Sequence, residues 1–116
     1  MNSDLNIELH DSEIIKVKEN TLEDTLNFII EYPVDFNKNI FEKRILRFFD
    51  YLNYSVKEIP FATRPIILSY ENFGKINYVI GTGRNKIKVS RYKTVINTNA
   101  GTRSLEYNKF ELLKLS

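Results

Sequence analysis

The chain is 116 residues long, with 42% hydrophobic and 28% charged residues, a balance that suits one folded domain over residues 1–116 and argues against disorder. Seventeen basic and fifteen acidic residues give a formal net charge of +2, with one histidine and no cysteine. This excludes a disulfide framework, a thiolate zinc site, an iron–sulfur cluster and a cysteine nucleophile. It also lacks the single-sign field of a dedicated nucleic-acid binder.

Residues 1–12 read as a polar lead-in with an apolar hook, Leu5, Ile7 and Leu9 alternating with Asn6 and Glu8. This start has no basic region and no apolar h-region, so a signal peptide is not expected. No apolar run approaches the ~20 residues of a membrane helix. The expectation is a cytoplasmic protein without a membrane partner. Glu13 to Lys18 sets Ile15 and Val17 against Lys16 and Lys18, a short strand with one wet face.

The next segment carries two patterns. Leu26, Phe28, Ile30 and Tyr32 alternate as in a strand, whereas Leu22, Leu26, Ile29 and Ile30 fit a helix face and Thr21 with Asp24 resembles a capping box. Pro33 favours the strand, because the residue before a proline is driven to extended backbone. The conflict recurs at Phe41 to Leu52, where Phe41, Ile45, Phe48, Phe49 and Leu52 suit a helix and a single helix at 38–52 stays open. A strand would place Phe41, Ile45 and Phe49 on one side and Leu46 and Phe48 on the other. Pro60 and Pro65 suit an edge or a loop.

From Arg64 onward, short β-rich runs are cut by the turn signals Asn72-Phe73-Gly74-Lys75, Gly81 to Asn85 and Asn99-Ala100-Gly101. Lys109 to Leu115 is expected to end the sheet, with Phe110, Leu113 and Leu115 over the core. The predicted fold is all-β: an antiparallel meander forming a sandwich or a partly open barrel.

Few residues invite chemistry. His10 stands beside Asp11 and Ser12, but neighbours in an extended chain point to opposite faces, so a structural turn is favoured over a catalytic pair. Gly81-Thr82-Gly83-Arg84 resembles a phosphate loop, yet a strand pattern follows it where such a loop opens onto a helix, so a hairpin turn is favoured. Carboxylate pairs such as Glu23 with Asp24 have no arrangement suited to acid–base work, and no cofactor or metal site is expected. Acidic residues crowd the first third, whereas Lys75 to Arg103 contains no acid at all. Within that tract Tyr78, Arg84, Lys86, Lys88, Arg91, Tyr92 and Arg103 are the candidate binding residues. Cations among aromatics on neighbouring strands suit single-stranded nucleic acid, although alternating lysines also make an ordinary solvated face.

Leu9-His10-Asp11-Ser12-Glu13-Ile14, Leu26-Asn27-Phe28 with Tyr32-Pro33, Leu46-Arg47-Phe48 and Glu58-Ile59-Pro60-Phe61 resemble small bacterial single-domain proteins that open on a His-Asp-Ser segment. The resemblance spans roughly the first two-thirds of the chain. It implies β-strands throughout and, for some such proteins, a role as immunity-like partners of secreted toxins. The functional expectation is a non-enzymatic interaction domain binding a protein, with a nucleic-acid or small-ligand module on the 75–103 face as the alternative.

Overall fold

The computed structural model describes residues 9–35, 37–60 and 63–114. Eight strands run in order: β1 (Glu13–Asn20), β2 (Thr25–Asp35), β3 (Ile40–Phe49), β4 (Leu52–Glu58), β5 (Ile67–Ile80), β6 (Ile87–Thr98), β7 (Gly101–Tyr107) and β8 (Lys109–Lys114). They form two antiparallel sheets, ordered β1-β2-β3-β8 and β4-β7-β6-β5. The sheets share one core and do not close into a barrel, so the fold is a sandwich. Ile14, Leu26, Phe28, Ile30, Leu46 and Phe48 enter that core from the first sheet, and Ile67, Ile96, Leu105 and Tyr107 from the second. Across the gap Phe28 meets Tyr54 edge-on at 5.8 Å and Phe48 meets Tyr107 at 5.0 Å. Such ring pairs add about 0.5–1.5 kcal/mol each beyond their buried area.

Both ambiguous segments are extended. Pairing of Leu26 with Phe48 and Phe28 with Leu46 puts the period-two apolar rows of β2 and β3 on one face. A helix would have set Phe48 and Leu46 apart and left one wet. Thr21 to Asp24 is a hairpin turn and not a helix start. Asn20 Oδ1 accepts the backbone N–H groups of Leu22 at 3.1 Å and Glu23 at 3.2 Å, and Asp24 takes a φ of 55°. Pro33 pairs with Phe41 beyond Glu13–Glu31, the last rung that β1 shares with β2, so its missing N–H falls on an open edge.

Three details differ from the sequence expectation. The register of β1 shifts between Ile14 and Lys16, so Ile14 and Val17 face inward and Ile15 does not. Asn72 to Lys75 is a bulge inside a continuous β5, not a turn. Gly74 adopts a φ of 86° and donates its N–H to Asn72 Oδ1 at 2.8 Å. In β8, Phe110 and Leu112 pair with Phe48 and Leu46 on the core face, so Leu112 takes the place expected of Leu113. Leu5, Ile7 and Leu115 lie outside the described residues.

Candidate functional site

β5 and β6 outrun the sandwich. The pairing of β6 with β7 begins at Tyr92–Tyr107, while β6 continues to pair with β5 through Ile76–Arg91, Asn77–Ser90, Tyr78–Val89, Val79–Lys88 and Ile80–Ile87. At about 3.4 Å per residue these rungs carry a two-stranded arm roughly 17 Å past the sheet. The molecule accordingly measures 58 × 33 × 27 Å. A 3-10 turn, Gly83–Asn85, forms the tip.

Register fixes the arm's faces, since paired residues share a side. One face carries Ile76, Tyr78, Ile80, Ile87, Val89 and Arg91. The other carries Asn77, Val79, Lys88 and Ser90, and there Ser90 Oγ donates to Asn77 Oδ1 at 2.7 Å. The apolar face is anchored near its base. Arg91 Nε donates to the backbone oxygen of Asp50 at 2.7 Å. The Tyr78 hydroxyl donates to the carboxylate of Glu106, which is only 7% exposed and also accepts from Asn53 Nδ2 at 3.0 Å. That hydrogen bond, with burial adding to it, holds the Tyr78 pKa above its ordinary value. Towards the tip the anchoring stops: Ile80 and Ile87 on this face are 52% and 61% exposed, and Val79 on the other face is 60% exposed.

The seven candidate residues therefore divide. Arg84, Lys86 and Lys88 are exposed on the outer part of the arm. Tyr78 and Arg91 sit at its base and hold it. Tyr92 and Arg103 belong to the sandwich and are separated from that surface. Tyr92 packs on Tyr107 at 5.9 Å. The Arg103 guanidinium makes a two-pronged ion pair with Glu58, 2.7 Å from Nε and 2.9 Å from a terminal nitrogen, and donates to the Tyr54 hydroxyl at 3.2 Å. Burial, the largest single influence, pulls the Arg103 pKa down, but the hydrogen bonds and charge interactions with Glu58 and Tyr54 together outweigh it and leave it raised. The expected array of cations and stacking tyrosines on one face is not assembled.

Sequence reasoning passed over the groups that orient the arm, Asp50, Asn53 and Glu106, because they lie far away in the chain. It also passed over the apolar tip, for which there was a signal. Tyr78-Val79-Ile80 is apolar at three successive positions, so a two-sided ribbon must turn apolar groups to both faces.

His10 and Asp11 do meet, with Nδ1 2.9 Å from Oδ2. The segment is a turn, not a strand, and Asp11 takes a φ of 70° that brings the two together. The same turn is stitched to β5 by Asp11 N–H to Ile67 O at 2.8 Å and Ile67 N–H to Ser12 O at 2.7 Å, which is a structural task. Gly81 to Asn85 and Asn99 to Gly101 are hairpin turns, as expected. Among the described residues no group of three or more His, Asp or Glu side chains could hold a metal ion, and no helix is long and apolar enough to cross a membrane.

Fold and site together define an all-β sandwich with a projecting basic arm. The chain matches no family model, no curated protein and no solved structure.

Proposed function

We propose that this chain is a non-enzymatic interaction domain that holds a protein partner through the β5–β6 arm. The tip carries the reading: Ile80 and Ile87 oppose each other in register on one face, both more than half exposed, with Arg84 and Lys86 at the turn beyond them and Lys88 on the reverse face. Folding gains little from these side chains, whereas covering them with a partner would recover roughly 1–2 kcal/mol for each isoleucine. An apolar centre rimmed by cations is the usual make-up of a protein interface. The partner surface it fits is an apolar recess with acidic edges. The His-Asp-Ser resemblance suggests a specific form of this reading, an immunity-type protein that neutralises a toxin by occlusion.

A nucleic-acid reading draws on one observation, the absence of any carboxylate between Glu71 and Glu106. The positions of Tyr92 and Arg103 in the sandwich weaken it, because stacking and phosphate contacts would have to come from the outer arm alone.

The two readings separate in a pull-down of the tagged protein from its own lysate, with and without nuclease, using wild type and an Ile80→Ser/Ile87→Ser variant. The protein-binding reading predicts one protein recovered equally with and without nuclease, absent with the variant, and forming a defined complex once purified. If that protein is a toxin, expressing it alone arrests growth and co-expression restores it. Recovery abolished by nuclease would transfer the assignment to nucleic acid. A partner retained by the variant would remove the arm from the interface.

A further inference from the structure

The opposite sheet has a surface that the arm does not explain. On the outer face of β1, β2 and β3 lies an open groove of about 770 Å³, bounded at one end by the β1–β2 turn. Its floor is the half-buried trio Ile15, Ile29 and Ile45. The β1 bulge shapes this floor: it lets Ile14 and Val17, three residues apart, both face the core, and sets Ile15 on the groove side together with Lys16 and Lys18. Bulges re-aim side chains next to working sites more often than elsewhere. Leu22, at the turn, is 98% exposed and lines the groove.

The walls are mostly cationic. Lys16, Lys18, Lys43 and Arg47 line the groove, against one carboxylate, Glu19. Among the described residues none of these four cations is held in an ion pair. Glu31 and Glu111 stand opposite Lys43 and Arg47 in register without pairing with either. Arg47 is positioned by its neighbour, donating from Nε to Asn27 Oδ1 at 2.6 Å, which leaves its two terminal nitrogens for an incoming group.

We infer that this groove is a binding site for a small amphipathic anion, an alkyl or aryl body ending in a carboxylate or similar acid. The apolar body lies on Ile29 and Ile45 under Leu22, and the acid group meets Arg47 and Lys43. The volume falls within the roughly 300–1,000 Å³ of small-ligand sites, which combine an apolar lining with a few placed polar groups. Neither half of the chemistry suffices alone: surface lysines are ordinary, and so is a half-covered isoleucine. Their convergence in one recess beside a bulge is the argument.

Calorimetry and amide NMR with octanoate, 1-octanol and inorganic phosphate test it on the whole chain. Octanoate should bind saturably and shift amides in Ile15–Leu22, Asn27–Ile29 and Lys43–Arg47, with 1-octanol and phosphate each weaker by about tenfold or more, the scale of one charge-assisted contact. Arg47→Gln and, separately, the exposed Lys43→Gln should weaken octanoate by a similar factor while leaving the melting temperature in place. Lys86→Glu on the arm should change nothing. Equal binding of 1-octanol would reduce the groove to an apolar patch, and equal binding of phosphate would reduce it to a charge cluster. Either result, shifts confined to other strands, or binding untouched by both groove substitutions would overturn the assignment.

Discussion

Arg103 decides how much of the basic tract is surface and how much is framework. Its side chain is 11% exposed and that of Glu58 9%. Their two-pronged pair is joined by the Tyr54 hydroxyl, and Thr98 Oγ1 donates to Glu58 Oε2 at 3.2 Å. Arg103→Met removes three donors and strands a carboxylate in a nearly dry site. Truncating one member of a buried pair costs about 3–5 kcal/mol, and the lower end applies here because Glu58 lies at the end of β4, an edge strand. A loss of about 3 kcal/mol lowers the melting temperature of a domain this size by roughly 10 °C. Replacing both partners, Arg103→Met with Glu58→Leu, leaves no orphaned charge and should recover most of that loss. Urea unfolding followed by far-ultraviolet circular dichroism gives all four corners of the cycle, with the slope expected to stay constant. A single-variant loss under about 1 kcal/mol, or a double variant equal to the sum of the singles, would refute the reasoning. The double variant should also keep partner binding, since Arg103 is not on the arm.

Three further outcomes follow from the same geometry. Gly101 holds a φ of 149°, and a Cβ there would sit 2.1 Å from the Lys57 backbone oxygen, so Gly101→Ala should break the β4–β7 pairing and destabilise by about 2 kcal/mol or more; a melting curve like that of wild type would count against it. The raised Tyr78 pKa implies stability that is fully present below its ordinary value of 10.0 and lost as pH rises through the folded value. Protection of the arm's amides, taken relative to the base-catalysed exchange of the unstructured peptide, should therefore fall above pH 10, and Tyr78→Phe should remove that fall; identical protection profiles would show that the Tyr78–Glu106 contact does not hold the arm. Charge reversal at Arg84, Lys86 and Lys88 together should slow association and weaken partner binding about tenfold or more at low salt, with little change in stability; unchanged association kinetics would exclude a cationic rim.

The sheet content was legible because period-two alternation in Leu26 to Tyr32 and Leu46 to Phe48 names the core face directly. What alternation could not give was its own interruptions. The bulges at Ile15 and Phe73 each shift the pattern by one residue, and only the partner strand shows where. The same limit explains Leu112 in place of Leu113: β8 is short, and its phase is set by pairing with β3. At the site, sequence adjacency gathered seven residues from 75–103 into one surface. Tertiary register divides them, since Tyr92 and Arg103 lie where β6 and β7 pair within the sandwich, whereas Lys88 lies beyond the end of β7, where β6 has only β5 beside it, and Arg84 and Lys86 lie in the turn at the tip. The His10–Asp11 contact was missed for a local reason, the left-handed backbone at Asp11.

The central claim is that the arm is the interface, and hydrogen-exchange mass spectrometry of the purified complex tests it most directly. The account predicts protection on binding concentrated in Ile76–Val89, with β2 and β3 unchanged. Protection elsewhere on the sandwich, with arm amides exchanging as in the free protein, would contradict it.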